Sequence, residues 1–265
     1  VRGRVLIVAG SDSGGGAGIQ ADIKTVTMLG AYAATAITAL TAQNTEGVHA
    51  VFPIPPEFIR RQIAVVLDDI GADAVKTGML HDAAVIDAVA AELRQRAPDV
   101  PLVVDPVMAA KGGARLIEPE AVETLKRRLI GRATVLTPNL PEAEILSGSP
   151  IADVAAMEAA GRELLGLGCR AVLMKGGHLA GDTVTDVLVT ASGSRIWRNP
   201  RIASRHTHGT GCTLASAIAA GLARGQTVEE AIDGARRYVL RAIATAPGLG
   251  RGHGPLNHAH PLDPG

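Results

Sequence analysis

Thr207-His208-Gly209-Thr210-Gly211-Cys212-Thr213 opens a long Ala-rich run with helical apolar spacing, and its reading decides the fold. Leu214, Ile218 and Leu222 recur on one face, which predicts that a buried helix starts directly after the glycines. Unpaired backbone N–H groups and the positive end of the helix dipole make such a terminus an anion site. Gly209 and Gly211 let the backbone approach the anion closely. Cys212 stands at the helix mouth, where the same field is expected to lower its thiol pKa toward a reactive thiolate. The plainer reading is a glycine loop before a core helix, with a small inert cysteine.

Working outward, a second glycine-rich element lies near the start. Arg4 to Ala9 reads as a buried strand, Gly10-Ser11-Asp12-Ser13-Gly14-Gly15-Gly16-Ala17-Gly18 as a loop, and Ile19 to Leu29 as a helix. Gly16 to Ala21 satisfies G-x-G-x-x-A, but it lies several residues past the strand and no acidic residue closes the following strand. Gly18 to Thr25 approaches a P-loop, yet Ile23 stands where the turn before Lys24 needs glycine. Neither nucleotide motif survives.

Between the two elements, strands alternate with helices. Strands are predicted at Ala33–Ala42, Ala74–Lys76, Leu102–Val104, Thr134–Thr137 and Ala171–Met174, and helices near 56–69, up to Arg96, 118–129 and 228–246. Val184–Val189 and Arg195–Trp197 read as antiparallel strands joined around Ser192-Gly193. This alternation predicts an α/β fold with a mainly parallel sheet covered on both faces, as one domain over residues 1–265. Polar residues cluster just past the strands: Gln43-Asn44, Asp105-Pro106, Asn139 to Glu142, and Lys175 to His178. Ligands of such sheets bind outside the strand carboxyl ends. The Gly-, Pro- and His-rich stretch from Gly248 is expected to be partly loose, with His253, His258 and His260 solvated.

Composition narrows the partner. Lys plus Arg number 26 and Asp plus Glu 26, so neither a nucleic acid nor an anionic membrane is indicated. A small molecule is the expected partner, and aromatics of only 2% suggest that any ligand ring is held by aliphatic contacts. Two cysteines, Cys169 and Cys212, give no disulfide framework, and neither a leader nor an apolar run of spanning length is recognised, which reads as cytoplasmic.

If the glycine elements, Asp105, Glu142 and Lys175 converge on one cleft, the inventory is that of phosphoryl transfer. Lys175 would contact nucleotide phosphates, and the carboxylates would hold Mg²⁺ directly or through water. Each residue also has a structural reading: Asp105 as a turn former, Glu142 as a helix-start residue, Lys175 as a surface charge, Asp22 as an exposed helix carboxylate and Gln43 as a strand-end cap. His178, His206 and His208 lack zinc spacing, and no G-x-S-x-G elbow supports a serine hydrolase.

Taken in order, Ala9 to Asp22, Ala42-Gln43-Asn44-Thr45, Gly78-Met79-Leu80, Asp105-Pro106-Val107-Met108, Thr137 to Glu142, Met174 to His178 and Thr207 to Thr213 closely resemble the hydroxymethylpyrimidine/phosphomethylpyrimidine kinases of thiamine biosynthesis, which are ribokinase-like. The resemblance runs through Gly252 to His258. It implies a central mostly parallel sheet flanked by helices with a small β lid, commonly a homodimer. It implies ATP and Mg²⁺, with 4-amino-5-hydroxymethyl-2-methylpyrimidine and then its monophosphate as acceptors. Gln43, the Asp22 region and Gly10 would bind the aminopyrimidine, with Met79 and Val107 as apolar walls. Gly209, Thr210, Gly211 and Cys212 would form the anion hole, Cys212 standing where the wider family has an Asp base. Asn139, Lys175, Glu142 and Asp105 would manage nucleotide and metal. Gly14 to Gly16, where a second Ser is common, and Thr77, where an aliphatic residue is common, are departures expected on the substrate rim. A pyridoxal kinase of the same Cys-containing group, a nucleotide-binding protein without turnover and a dinucleotide oxidoreductase are the rival readings.

Overall fold

The computed structural model describes residues 2–109 and 116–262. Among the described residues nine strands form one sheet: β1 (Arg4–Asp12), β2 (Tyr32–Gln43), β3 (Val48–Pro53), β4 (Ala74–Thr77), β5 (Leu102–Val104), β6 (Val135–Leu136), β7 (Ala171–Met174), β8 (Thr183–Thr190) and β9 (Gly193–Pro200). Their order is β3-β2-β1-β4-β5-β6-β7-β8-β9. The run from β2 to β7 is parallel, while β3, β8 and β9 pair antiparallel at the two ends. The central strands are apolar on both faces because helices cover both. Alternate residues of β1 feed the two cores, Leu6 and Val8 on one face and Val5, Ile7 and Ala9 on the other.

Helices α1 (Gly18–Met28), α7 (Thr210–Ala223) and α8 (Val228–Ala244) cover the Val5 face, through Ile19, Val26, Leu214, Ile218 and Ile232. Helices α2 (Pro56–Asp69), α3 (Ala83–Arg96), α4 (Pro119–Arg128), α5 (Leu140–Ser147) and α6 (Val154–Leu165) belong to the Leu6 face. β1 pairs with β2 on one side and β4 on the other, so the strand order reverses there and opens a crevice at the strand carboxyl ends.

Three elements go beyond the sequence pattern. Helix α5 starts inside the polar cluster after β6, where Asn139 and Glu142 form a capping box that turns a polar stretch into a helix start. Helix α6 follows it, N-capped by Asp153. Strand β3 is almost wholly exposed and has no buried face to give it a period-two pattern. With the end of β2 it forms an antiparallel ribbon at the sheet edge, in keeping with a small β lid. A correction applies to β1, which continues through Gly10 to Asp12 rather than ending at Ala9. Its pairing with β2 shifts register between Ala9 and Ser11 and then resumes with Ser11 opposite Leu40.

Candidate active site

The two glycine-rich elements meet backbone to backbone. Gly209, the N-cap of α7, has φ +84°, and a Cβ there would lie 1.8 Å from the Gly16 carbonyl oxygen. Only glycine fits both the angle and the approach. Thr210 Oγ1 donates to the Thr207 carbonyl at 2.6 Å, tightening the turn. On the far side of the helix mouth, a Cβ on Gly211 would lie 3.2 Å from Lys175 Nζ and 3.7 Å from Asp105 Oδ2. Lys175 Nζ donates to Asp105 Oδ1 at 3.0 Å, so the anticipated convergence of Asp105, Lys175 and both glycine elements is met.

Glu142 belongs to the same charge cluster. Burial pushes its carboxyl up to about 7; nearby Lys175 opposes the rise and Asp105 adds to it. Burial alone would lower Lys175, but Asp105 and Glu142 hold its ammonium above the ordinary range. Asn139 and Glu142 also serve the fold: Asn139 Oδ1 accepts from the Glu142 N–H at 2.9 Å, and Glu142 Oε2 accepts from the Asn139 N–H at 2.8 Å. The structural reading of Glu142 and its place in the cluster are therefore both realised.

Two expectations need correction. The helix terminus does not give Cys212 a low pKa: burial, abetted by the Asp22 and Asp105 charges, pushes the thiol up to about 12, with only partial relief from Lys76 and the Gly18 N–H. Asp22 is not an exposed helix carboxylate, and its side chain has no exposed surface to offer a ligand. It is fully buried, accepting from Lys76 Nζ at 3.0 and 2.8 Å and from Ser216 Oγ at 2.7 Å. Burial raises its carboxyl above the usual range despite these donors. Lys76 stays charged, because Asp22, Cys212 and Asp105 together outweigh the burial that would lower it. Lys76 also explains Gly78, whose added Cβ would lie 3.0 Å from Lys76 Nζ.

The substrate-side residues gather around Asp12. Its carboxylate accepts N–H bonds from Gly14 (2.8 Å), Gly16 (3.1 Å) and Ala17 (2.8 Å), and His208 Nε2 lies 2.8 Å from Oδ2. Burial alone would raise Asp12; His208 and these amides hold it below the usual carboxylate range. The Gln43 amide lies 3.3 Å from His208 Nε2, and Ser13 Oγ ties the Gln43 backbone to the first loop. Gly10 allows Met79 to approach, since an added Cβ would lie 3.2 Å from Met79 Sδ. Met79 is buried, held by Thr38 Oγ1 donating to its carbonyl at 2.6 Å, and Val107 is partly buried beside Asp105. Thr77 is not on a rim: it is fully buried, and its hydroxyl has no hydrogen-bond partner among the described residues.

The stretch after α8 is bound in rather than loose. The His253 N–H donates to the Thr45 carbonyl at 2.8 Å, and the Gly254 carbonyl accepts from the His208 N–H at 3.2 Å. His258 is buried, with Nε2 3.0 Å from Thr213 Oγ1 in the first turn of α7. Sequence reasoning passed over Asp12, Lys76 and His258 as functional neighbours. A lysine following Ala74-Val75 in a short strand was the available signal for Lys76.

The phosphomethylpyrimidine kinase pattern matches residues 12–257. The chain belongs to that family. It is 56% identical over 258 residues to the thiamine biosynthesis bifunctional protein ThiED of Geobacter sulfurreducens, a match covering 97% of this chain and 52% of that protein. The chain thus spans about half the length of that relative. It is 49% identical over 258 residues to a hydroxymethylpyrimidine/phosphomethylpyrimidine kinase of Streptomyces coelicolor, covering 97% and 95% of the two chains. The ADP complex of Bacillus subtilis pyridoxal kinase superposes with a TM-score of 0.92 at 38% identity, covering 100% of each chain. A protein named as a pyridoxal kinase therefore shares this architecture. No helix among the described residues is long and apolar enough to cross a membrane.

Proposed function

We propose that the chain phosphorylates 4-amino-5-hydroxymethyl-2-methylpyrimidine with ATP, and then the monophosphate to the diphosphate, in thiamine biosynthesis. The supporting observation is the meeting of the α7 N-terminus with Lys175 and Asp105 on one side and with Asp12, His208 and Gln43 on the other. An anion cradle lies between a cationic nucleotide side and an amide able to read a heterocycle. Backbone N–H groups of Gly209 to Cys212 stabilise the transferring phosphoryl, as charge in a buried site demands. Lys175 neutralises nucleotide phosphate. Asp105 and Glu142 suit Mg²⁺, an ion commonly bound through one or two carboxylates plus substrate phosphates. When bound, Mg²⁺ supplies charge neutralisation between the phosphates.

Cys212 serves the first step. A hydroxyl acceptor must lose its proton, whereas a phosphate monoester, with a second pKa of about 6, is already largely ionised near neutrality. With its thiol near 12, Cys212 acts through a scarce thiolate whose charge Lys76 offsets. The exposed apolar side chains of the β2–β3 ribbon, including Leu40, Val51 and Phe52, support a homodimer, and ATP use supports a cytoplasmic setting.

A second reading, pyridoxal phosphorylation, draws on the likeness to the Bacillus subtilis pyridoxal kinase. The test is ATP consumption by the purified protein with Mg²⁺, offering the hydroxymethylpyrimidine, its monophosphate and pyridoxal in parallel. Turnover of both pyrimidines well above pyridoxal is the expected result. Turnover of pyridoxal alone would overturn the substrate while leaving the anion cradle.

A further inference from the structure

Gln43, His208, Asp12 and Thr41 form a chain of polar groups whose hydrogens can be assigned by elimination. Asp12 accepts donors at both oxygens and is held ionised, so it is acceptor-only. His208 Nε2, 2.8 Å from Asp12 Oδ2, must therefore carry its proton toward that oxygen. At the other end, Thr41 Oγ1 spends its single hydrogen on the Ser11 carbonyl at 2.8 Å, leaving only lone pairs for a further partner. The Gln43 amide lies between the two, with Nε2 3.3 Å from His208 Nε2 and Oε1 3.2 Å from Thr41 Oγ1. A half-turn of its last torsion exchanges oxygen and nitrogen, so the neighbours decide which end faces which. A protonated Nε2 has no lone pair for the amide NH₂ it faces, and a spent hydroxyl has no hydrogen for the amide oxygen it faces, so the half-turn relieves both contacts. Both neighbours select the same orientation.

We propose that the Asp12–His208 pair, helped by Thr41, fixes the polarity of the Gln43 amide and thereby decides which way round the substrate ring binds. This rests on the aminopyrimidine reading above. The locked amide keeps one oxygen lone pair on its His208 side and one N–H on its Thr41 side. An aminopyrimidine edge presents an exocyclic amine beside a ring nitrogen, so the amine pairs with the oxygen and the ring nitrogen with the N–H. The amine is thus set toward His208. In the substrate the hydroxymethyl carbon adjoins the amine on the side away from that ring nitrogen. The reacting hydroxyl is therefore carried to the His208 side of the amide, and His208 directly precedes Gly209, the N-cap of α7. A reversed amide would seat the ring turned over, with the hydroxyl directed away from the anion cradle. His208 and Asp12 are positioning residues that act through Gln43.

The test compares wild type with His208→Leu, His208→Gln and Thr41→Val on two acceptors, the aminopyrimidine and its 4-desamino analogue, with thermal melts as a check on folding. Without the imidazole, the Asp12 charge draws the NH₂ end of Gln43 toward itself and favours the reversed amide; a hydrogen bond to a charged group is strong enough for about a tenfold effect or more. His208→Leu is expected to lower kcat/KM for the aminopyrimidine about tenfold or more and to lower it by a smaller factor for the desamino analogue, which loses only the ring-nitrogen contact. His208→Gln, which restores a donor, is expected to recover most of the loss, and Thr41→Val to show a smaller loss of the same selectivity. Equal losses on both acceptors, or no loss on either, would overturn the proposal. A wild type that does not prefer the aminopyrimidine over its desamino analogue would instead overturn the substrate reading beneath it.

Discussion

Lys76 and Asp22, 2.8 Å apart and both without exposed side-chain surface, form an ion pair inside the layer between the sheet and α7. Ser216 completes it from one helical turn beyond Cys212. Breaking such a pair from one side leaves an uncompensated charge, so Lys76→Met should destabilise the protein by about 3 kcal/mol in urea unfolding. The loss should grow as pH rises from about 4 toward 7, because an unpaired buried Asp22 is tolerated only when protonated. The double substitution Lys76→Met with Asp22→Asn should recover much of the stability. A stable single variant with no pH trend would mean that the pair carries no such charge.

Cys212 supplies a kinetic prediction. Since only the thiolate can accept a proton and the thiol lies near 12, its ionised fraction rises about tenfold per pH unit throughout the workable range. Phosphorylation of the hydroxymethylpyrimidine should therefore accelerate steadily to above pH 9, while phosphorylation of its monophosphate stays flat. Cys212→Ala should slow the first step much more than the second and abolish its pH slope. Equal loss in both steps would assign Cys212 to positioning alone.

His258 links the α7 start to acid stability. Burial is the largest influence on its imidazole and lowers it to about 4. The unfolded chain, with histidine near 6.5, then binds the extra proton first, so stability is lost as pH falls from 6.5 through 4. The full effect is about 3 kcal/mol on that interval. His258→Gln should flatten the pH dependence of the melting temperature between pH 4 and 6.5, and an unchanged slope would rule the linkage out.

Gly209 and Gly177 form a matched pair of tests. An alanine at Gly209 meets both the positive φ and the Gly16 carbonyl, whereas a Cβ at Gly177 has nothing within 4 Å. Gly209→Ala should cost about 1–3 kcal/mol of backbone strain and remove most activity by displacing the cradle; Gly177→Ala should be nearly silent. Comparable kcat values for the two variants would argue against a cradle at Gly209.

What the sequence made legible was whatever local pattern encodes. The apolar runs of β1, β5 and β7 and the glycines at both loops announced a covered parallel sheet with anion sites at its strand ends. Lys76 and His258 were not legible in the same way. A lysine in a strand or a histidine in a Gly- and Pro-rich stretch is ordinarily solvated, and only partners 54 residues away at Asp22 and 45 away at Thr213 make these buried. Cys212 misled for a related reason: a helix terminus is visible in sequence, but the burial of the thiol and the charges of Asp22 and Asp105 that act on it are not.

The bonds from His253 to Thr45 and from Gly254 to His208 also bear on how the protein is made. Both partners in the substrate region are synthesised before residues 253 and 254, which follow every strand of the sheet. On the ribosome, the sheet and its covering helices can assemble while the substrate side still lacks this clasp. A translation product ending after α8 would keep nearly all of its hydrophobic core and lack the segment that ties His208 in place. Such a product would pass for a folded protein in a spectrometer and fail at the bench.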